Sequence, residues 1–355
     1  MARWPLIVPL FAVAVLAGAI AMGVGPIGVA LCAIALTGTV FAAVHHAEVV
    51  AHRVGEPLGT LVLAVAVTVI EASLILALML ADAAKGSAIA RDTIYAAVMI
   101  ICNGVVGLCV LVGSLSHREQ AFRVEGAGAA LSALIALSVL SLVLPDFTTT
   151  TSVGTYSGAQ LAFAAVASFL LWAVFVFIQT VRHRDYFLPE QGAADDSVHA
   201  EPPSTRAALA SFGLLLVSLV AVVGLAKMLS APIERGLAAV GAPQAVIGIV
   251  IAMLVLLPET WAALRAARAN RLQTSMNLAL GSALASIGLT IPVVAIAALA
   301  FDLPLILGLA PKDVVMLALT LVVSAVTLGT GRTHVMQGAV HLVIFAAYLF
   351  LALVP

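Results

Sequence analysis

Charge is what this 355-residue chain has least of: 9% of its residues are Asp, Glu, Lys or Arg, against 63% hydrophobic. At a mean hydropathy of +1.20 there is too little polarity to clothe a soluble core, so the chain reads as a polytopic membrane protein. The 16 basic and 17 acidic residues leave a net charge of −1, which suggests no nucleic-acid partner and leaves membrane lipid as the surroundings. Cysteine is scarce as well. Cys32, Cys102 and Cys109 all fall within apolar stretches and argue for no disulfide framework; Cys102 and Cys109 read as buried small apolar residues. No HExxH or comparable metal-ligand spacing occurs, so an intramembrane metalloenzyme built on His45, His46 and His52 finds little support and the chain is not read as an enzyme.

Long apolar runs take the place of these missing features. Segments of about 18–25 residues, enough to cross a ~30 Å hydrocarbon core as helices, predict eleven spans near 5–22, 27–46, 57–80, 91–115, 122–145, 156–181, 206–228, 237–264, 274–301, 311–329 and 333–354. The first, preceded by Arg3 and ending near Ala-Ile-Ala at 19–21, is read as a retained span, with a cleaved signal peptide as the alternative. Basic residues are unevenly shared between the two sides. Arg3, Arg53, Arg118, Arg123, Arg182, Arg184, Arg206, Arg265, Arg268, Arg271 and Arg332 fall on one side, and Lys85, Arg91, Lys227, Arg235 and Lys312 on the other. The positive-inside rule therefore puts the N-terminus in the cytoplasm and the C-terminus outside.

The polar, proline-containing stretch 182–205 reads as a cytoplasmic linker. Its five acids lack the alternating ligand spacing of a calcium loop, so a solvated tether is the simpler reading. The linker divides the chain into a 27–181 unit and a 206–355 unit of five spans each, with 1–26 as an extra N-terminal helix. An odd number of crossings per unit makes the second enter the membrane from the opposite face, the inverted-repeat design of many secondary transporters. An all-α membrane fold of one extra helix plus two inverted five-helix repeats is the expectation.

Two acids stand deep inside this apolar material. An ionised carboxylate near the bilayer centre costs roughly 2.5–3.5 kcal/mol on insertion scales, so its retention invites a functional explanation. Glu71 lies 14 residues after Pro57, and Glu259 lies 16 after Pro243, each in the second span of its unit. At about 1.5 Å per residue both sit roughly 21–24 Å from entry points on opposite sides, depths compatible with one shared site. A hard cation needs more oxygens than two glutamates supply. Pro258 is expected to break its helix and free a carbonyl near Leu254, and Gly281 marks a second candidate break. Further oxygen ligands are expected from Thr68, Asn103, Asn277, Ser282 and Ser286, the last two on a stripe continued by Thr290. Small residues and hydroxyls also line ordinary helix contacts, and both readings of Gly281, Ser282 and Ser286 stay open. Glu56, beside a proline, is a candidate for recruiting cations at the cytoplasmic mouth. His45, His46 and His52 read as solvated interfacial histidines, with a pH-responsive gate as the alternative. His334 and His341 read as packed residues near the interface, with a proton relay as the other reading.

The stretches GEPLGTLVLAVAVTVIEASLILALML at 55–80, RDTIYAAVMIICNGVVGLCVLVGSLSHREQ at 91–120 and LLPETWAALRAARANRLQTSMNLALGSALASIGLTIP at 256–292 resemble the two signature regions of ChaA-type calcium/proton antiporters, within the calcium:cation antiporter superfamily. The resemblance implies an ion site between the repeats, with Glu71 and Glu259 as the signature glutamates and Gly281-Ser282 as the Gly-Ser of the second repeat. The sequence departs from related exchangers at Thr68, which stands in an Asn-containing signature, and at Ala285, where a polar residue often follows. The implied activity is export of cytoplasmic calcium against protons, with sodium or potassium as further cations. Alternatives are a sodium(potassium)/proton antiporter without calcium transport and a cation channel. No cofactor is expected, a homo-oligomer is allowed, and the implied location is a bacterial inner membrane.

Overall fold

The computed structural model describes residues 4–55, 58–81, 88–188, 203–239, 241, 243 and 245–354. Backbone groups in hydrocarbon have no water to pair with and must satisfy one another, so apolar runs this long fold as helices. Eleven result among the described residues: α1 (Trp4–Met22), α2 (Pro26–Val54), α3 (Leu58–Ala81), α4 (Ile89–His117), α5 (Val124–Asp146), α6 (Gly158–Arg182), α7 (Thr205–Ala239), α8 (Ala245–Arg268), α9 (Leu272–Phe301), α10 (Pro311–Leu328) and α11 (Val335–Leu353). Local chemistry sets several ends. Proline at the first turn opens α2 and α10. Ser157 and Gln160 form a reciprocal capping box on α6. Asp302, at φ +50°, closes α9 in the left-handed conformation.

Two helices outrun the apolar signal. The second was expected to end near 46 and continues to Val54; the seventh was expected to end near 228 and continues to Ala239, delaying α8 to Ala245. Hydropathy fades in both extensions, yet both helices continue, α7 running through Pro232. The stops come at Gly55 and Gly241, both with positive φ (+77° and +68°). Inside α4 the residues Ile100–Val105 form a π turn.

The pairing of helices follows the inverted-repeat plan. α2 packs along its counterpart α7, while α3 packs on α9 and α8 on α4, a crosswise exchange between equivalent elements. The fold is thus one extra helix followed by two inverted five-helix repeats, and α1 packs against α2 and α7. One apolar core joins α1, α2, α3, α7 and the start of α8 around Ile70, Leu74, Val222 and Leu225. A larger one joins α4, α5, α6, α8, α9, α10 and α11 around Ile101, Leu134, Leu137 and Leu284. Large apolar side chains such as Phe163, Val166, Leu170 and Val174 on α6 stand exposed, as lipid-facing positions do.

The connecting segments gather at two ends. At one, Gln120–Ala121 pairs antiparallel with Arg332–Thr333, His117 reaches the Arg268 carbonyl (3.0 Å), and Arg53 donates to Thr205 (2.9 Å). At the other, Arg91 pairs with Asp92 (2.8 Å) and donates to the Gly308 carbonyl (3.0 Å), while Lys312 donates to the Leu351 carbonyl (3.0 Å).

Candidate functional site

The two carboxylates lie where the repeats meet, in unlike surroundings. Glu71, on α3 between Ile70 and Ala72, is 2% exposed. Its Oε2 accepts a short 2.6 Å hydrogen bond from the Ser286 hydroxyl on α9, so the contact crosses from the first repeat to the second. A hydroxyl donating to an ionised carboxylate at this distance is a charge-assisted bond, about twice as strong as a neutral one. Its other oxygen, Oε1, is buried without a protein partner.

Glu259 follows Pro258 on α8 and is half-buried. It opens into a small cavity walled by Ile101 and Val105 from the π turn of α4, Leu256 and Thr260 from α8, and Ala279 and Ser282 from α9. The space of about 10 Å³ at its centre suits one water-sized occupant. The Oε2 of Glu259 has no protein partner. Thr260 spends its hydroxyl proton on the Leu256 carbonyl (2.6 Å), which leaves its oxygen lone pairs as acceptors. Glu71 and Glu48 both lie close enough for their charges to oppose that of Glu259, and Arg265 is near enough to Glu48 to offset part of the repulsion. Of the two carboxylates only Glu259 lines this space, beside the hydroxyl oxygens of Thr260 and Ser282; oxygens of this kind are ones that hard cations and protons can both use.

Glu48 stands with the histidines at the end of the apolar part of α2, within a helix that continues to Val54. The longer helix could have been read from the lack of any helix breaker between residue 46 and Gly55.

The other expected ligands distribute unevenly. Ser286 bonds Glu71 and Ser282 lines the cavity of Glu259, while an added side chain at Gly281 would meet nothing within 4 Å. Thr68 is buried one turn before Glu71 with its hydroxyl on the Ala64 carbonyl (2.9 Å). Thr290 is buried with an unpartnered hydroxyl. Asn103 and Asn277 are engaged elsewhere. Asn103 bonds Thr320 and His341, and Asn277 ties the start of the interrepeat linker to α9 by donating to the Phe187 carbonyl (2.6 Å). The expected helix breaks at Pro258 and Gly281 do not occur, since α8 and α9 run through them. Proline removes one hydrogen bond, whereas a full break in hydrocarbon would strand several polar groups. Glu56 lies outside the described residues. The histidine cluster also needs correction. His46 is 2% exposed and holds the Pro5 carbonyl of α1 at 2.9 Å, so it packs the extra helix and is not solvated. His341, expected as a packed residue, is packed at 0% exposure against Asn103 and Thr327.

Comparison with known proteins agrees with this geometry. The profile of the family described as "Sodium/calcium exchanger protein" matches residues 24–181 and 210–354, one block on each side of the linker. A "Putative ionic transporter y4hA" of Sinorhizobium fredii is 50% identical over 99% of this chain and 96% of its own length. The "Sodium-potassium/proton antiporter ChaA" of Escherichia coli is 37% identical over 91% of this chain and 89% of its own. Among solved structures, that of the "Ca2+/H+ antiporter" protein YfkE superposes with a TM-score of 0.73 at 16% identity, covering the whole of both chains, a likeness of fold. A profile that covers the segments of both buried glutamates, together with the 37% identity to the Escherichia coli protein, places the chain in the sodium/calcium exchanger family, as a ChaA-type antiporter of the calcium:cation antiporter superfamily.

Proposed function

We propose that this protein exports a cytoplasmic cation in exchange for external protons by alternating access, with calcium as a substrate and sodium or potassium as competitors. The observation that carries the reading is the Glu71–Ser286 bond across the repeats, beside the Glu259 cavity with its Ser282 wall. Each glutamate has a buried oxygen without a partner, and an uncompensated buried acceptor is costly unless a cation or proton satisfies it. A bound cation neutralises the ionised pair; protons displace it on the other side. Two bare carboxylates would face desolvation and mutual repulsion together, so crossing empty is disfavoured and exchange is obligatory. Two protons per divalent cation is the simplest stoichiometry for two glutamates.

The name of the Escherichia coli relative favours a second reading, sodium(potassium)/proton exchange without calcium. Side-chain geometry lends it support, because Asn103 and Asn277 are engaged elsewhere and the neutral ligand set around the pair is sparse for a cation that takes six to eight oxygens. We place the protein in a bacterial inner membrane, with the loops around 118–123, 182–205, 265–271 and 329–334 in the cytoplasm and the units 27–181 and 206–355 as the two repeats. Proteoliposomes under an imposed pH gradient, challenged in turn with calcium, sodium and potassium, separate the two readings. Proton movement with calcium supports the first. A response to sodium or potassium and none to calcium at any pH establishes the second, and cation conduction without proton movement removes both.

A further inference from the structure

The last helix carries a buried histidine that the exchange chemistry above does not use. His341 on α11 is 0% exposed, as are Asn103 and Thr320, and Thr327 is 2% exposed. The ring Nδ1 lies 3.3 Å from Asn103 Oδ1, and Nε2 lies 3.0 Å from Thr327 Oγ1. Asn103 Nδ2 lies 2.9 Å from Thr320 Oγ1, which itself donates to the Met316 carbonyl at 2.8 Å.

The direction of every bond follows from the last one. With the Thr320 proton committed to Met316, its oxygen must accept from the Asn103 amide nitrogen, which turns the Asn103 carbonyl oxygen toward His341. That oxygen only accepts, so Nδ1 of His341 carries a proton. In the neutral ring Nε2 then accepts from the Thr327 hydroxyl. Close approach of α11 to α4 is allowed by Gly107 and Gly338, where a Cβ would come within 2.9 Å of His341 Cβ and 2.6 Å of the Leu111 nitrogen respectively.

Asn103 sits in the π turn of α4, and the residues two before and two after it, Ile101 and Val105, wall the Glu259 cavity. A π turn offsets the register of everything that follows it, so its persistence depends on the groups that hold it. We infer that His341 is a positioning residue for the cation site: by gripping Asn103 from outside the cavity, it sets the π turn so that Ile101 and Val105 shape the space at Glu259. Without the ring, the buried Asn103 oxygen loses its partner and the turn must readjust, with its other face as the cavity wall. The inference rests on the reading of that cavity as the transport site.

Steady-state cation/proton exchange by the purified full-length protein in proteoliposomes tests it, using calcium, sodium and potassium as probes. His341→Ala is expected to raise the apparent KM for the transported cation about tenfold with the maximal rate within about twofold. His341→Gln, which can still donate to Asn103 and accept from Thr327, is expected to restore the wild-type KM. Thr327→Val, isosteric and lacking the hydroxyl, should raise KM about threefold and carries the test if His341→Ala does not insert. A wild-type KM in His341→Ala, or in Thr327→Val where the alanine variant is lost, overturns the inference, as does a His341→Gln protein as impaired as the alanine variant. Glu259→Gln serves as reference. If it exchanges normally, the cavity itself is wrongly read, whereas its inactivity beside an unaltered His341→Ala removes the positioning role alone.

Discussion

Glu71 and Glu259 are the same side chain in equivalent helices of two repeats, yet one is sealed and the other opens on a cavity. Glu71 is locked to Ser286 within an apolar wall, whereas Glu259 is half-buried, follows a proline, and shares its neighbourhood with Glu48 and Arg265. Inverted symmetry fixes the depth of the two groups, while the residues around them fix their access. An exchanger needs this inequality, because a site reachable from both sides at once would leak.

The strongest challenge to that comparison is removal of either charge. Glu71→Gln and Glu259→Gln keep size and hydrogen-bonding capacity but not the titratable proton, so each should insert normally and lose coupled exchange by about 10²-fold or more in proteoliposomes. Full exchange by either variant would take that residue out of the mechanism. Access can be read separately. In a background without Cys32, Cys102 and Cys109, Glu259→Cys should react with a water-soluble maleimide well before Glu71→Cys, and equal rates would erase the asymmetry.

Smaller effects sharpen it. Ser286→Ala strips Glu71 of the hydroxyl that donates to it and should shift apparent cation affinity about tenfold. Ser282→Ala removes one oxygen from the Glu259 cavity and should shift it only about threefold, since water can replace a single neutral ligand. Thr68→Val should change transport by less than about twofold, because that hydroxyl already belongs to the Ala64 carbonyl. A large loss there would make Thr68 a ligand in another state of the cycle.

Much of this was legible in the sequence, for reasons that particular residues make plain. Hydrocarbon allows few backbone solutions, so apolar runs gave the helices and their order. They did not give the ends of α2 and α7, which lie at Gly55 and Gly241 beyond the apolar zone. The two glutamates stood out because acids are rare at such depth, and Ser282 and Ser286 could be placed on the facing helix by spacing alone. Where Asn103 points could not be read. Its partners Thr320 and His341 come from 217 and 238 residues away, and the π turn that presents it to them is a product of packing, not of local propensity. Pro258 misled for a related reason, since surrounding helices hold α8 together through it.

Competition between cation and proton for one pair of carboxylates can be observed without transport. Purified protein in weakly buffered detergent solution near neutral pH should release protons when pulsed with its transported cation, and the Glu71→Gln/Glu259→Gln double variant, folded and monodisperse, should release none. A wild-type protein that exchanges cations in liposomes yet releases no protons on binding, or a double variant that releases as many as wild type, would contradict the shared-site account.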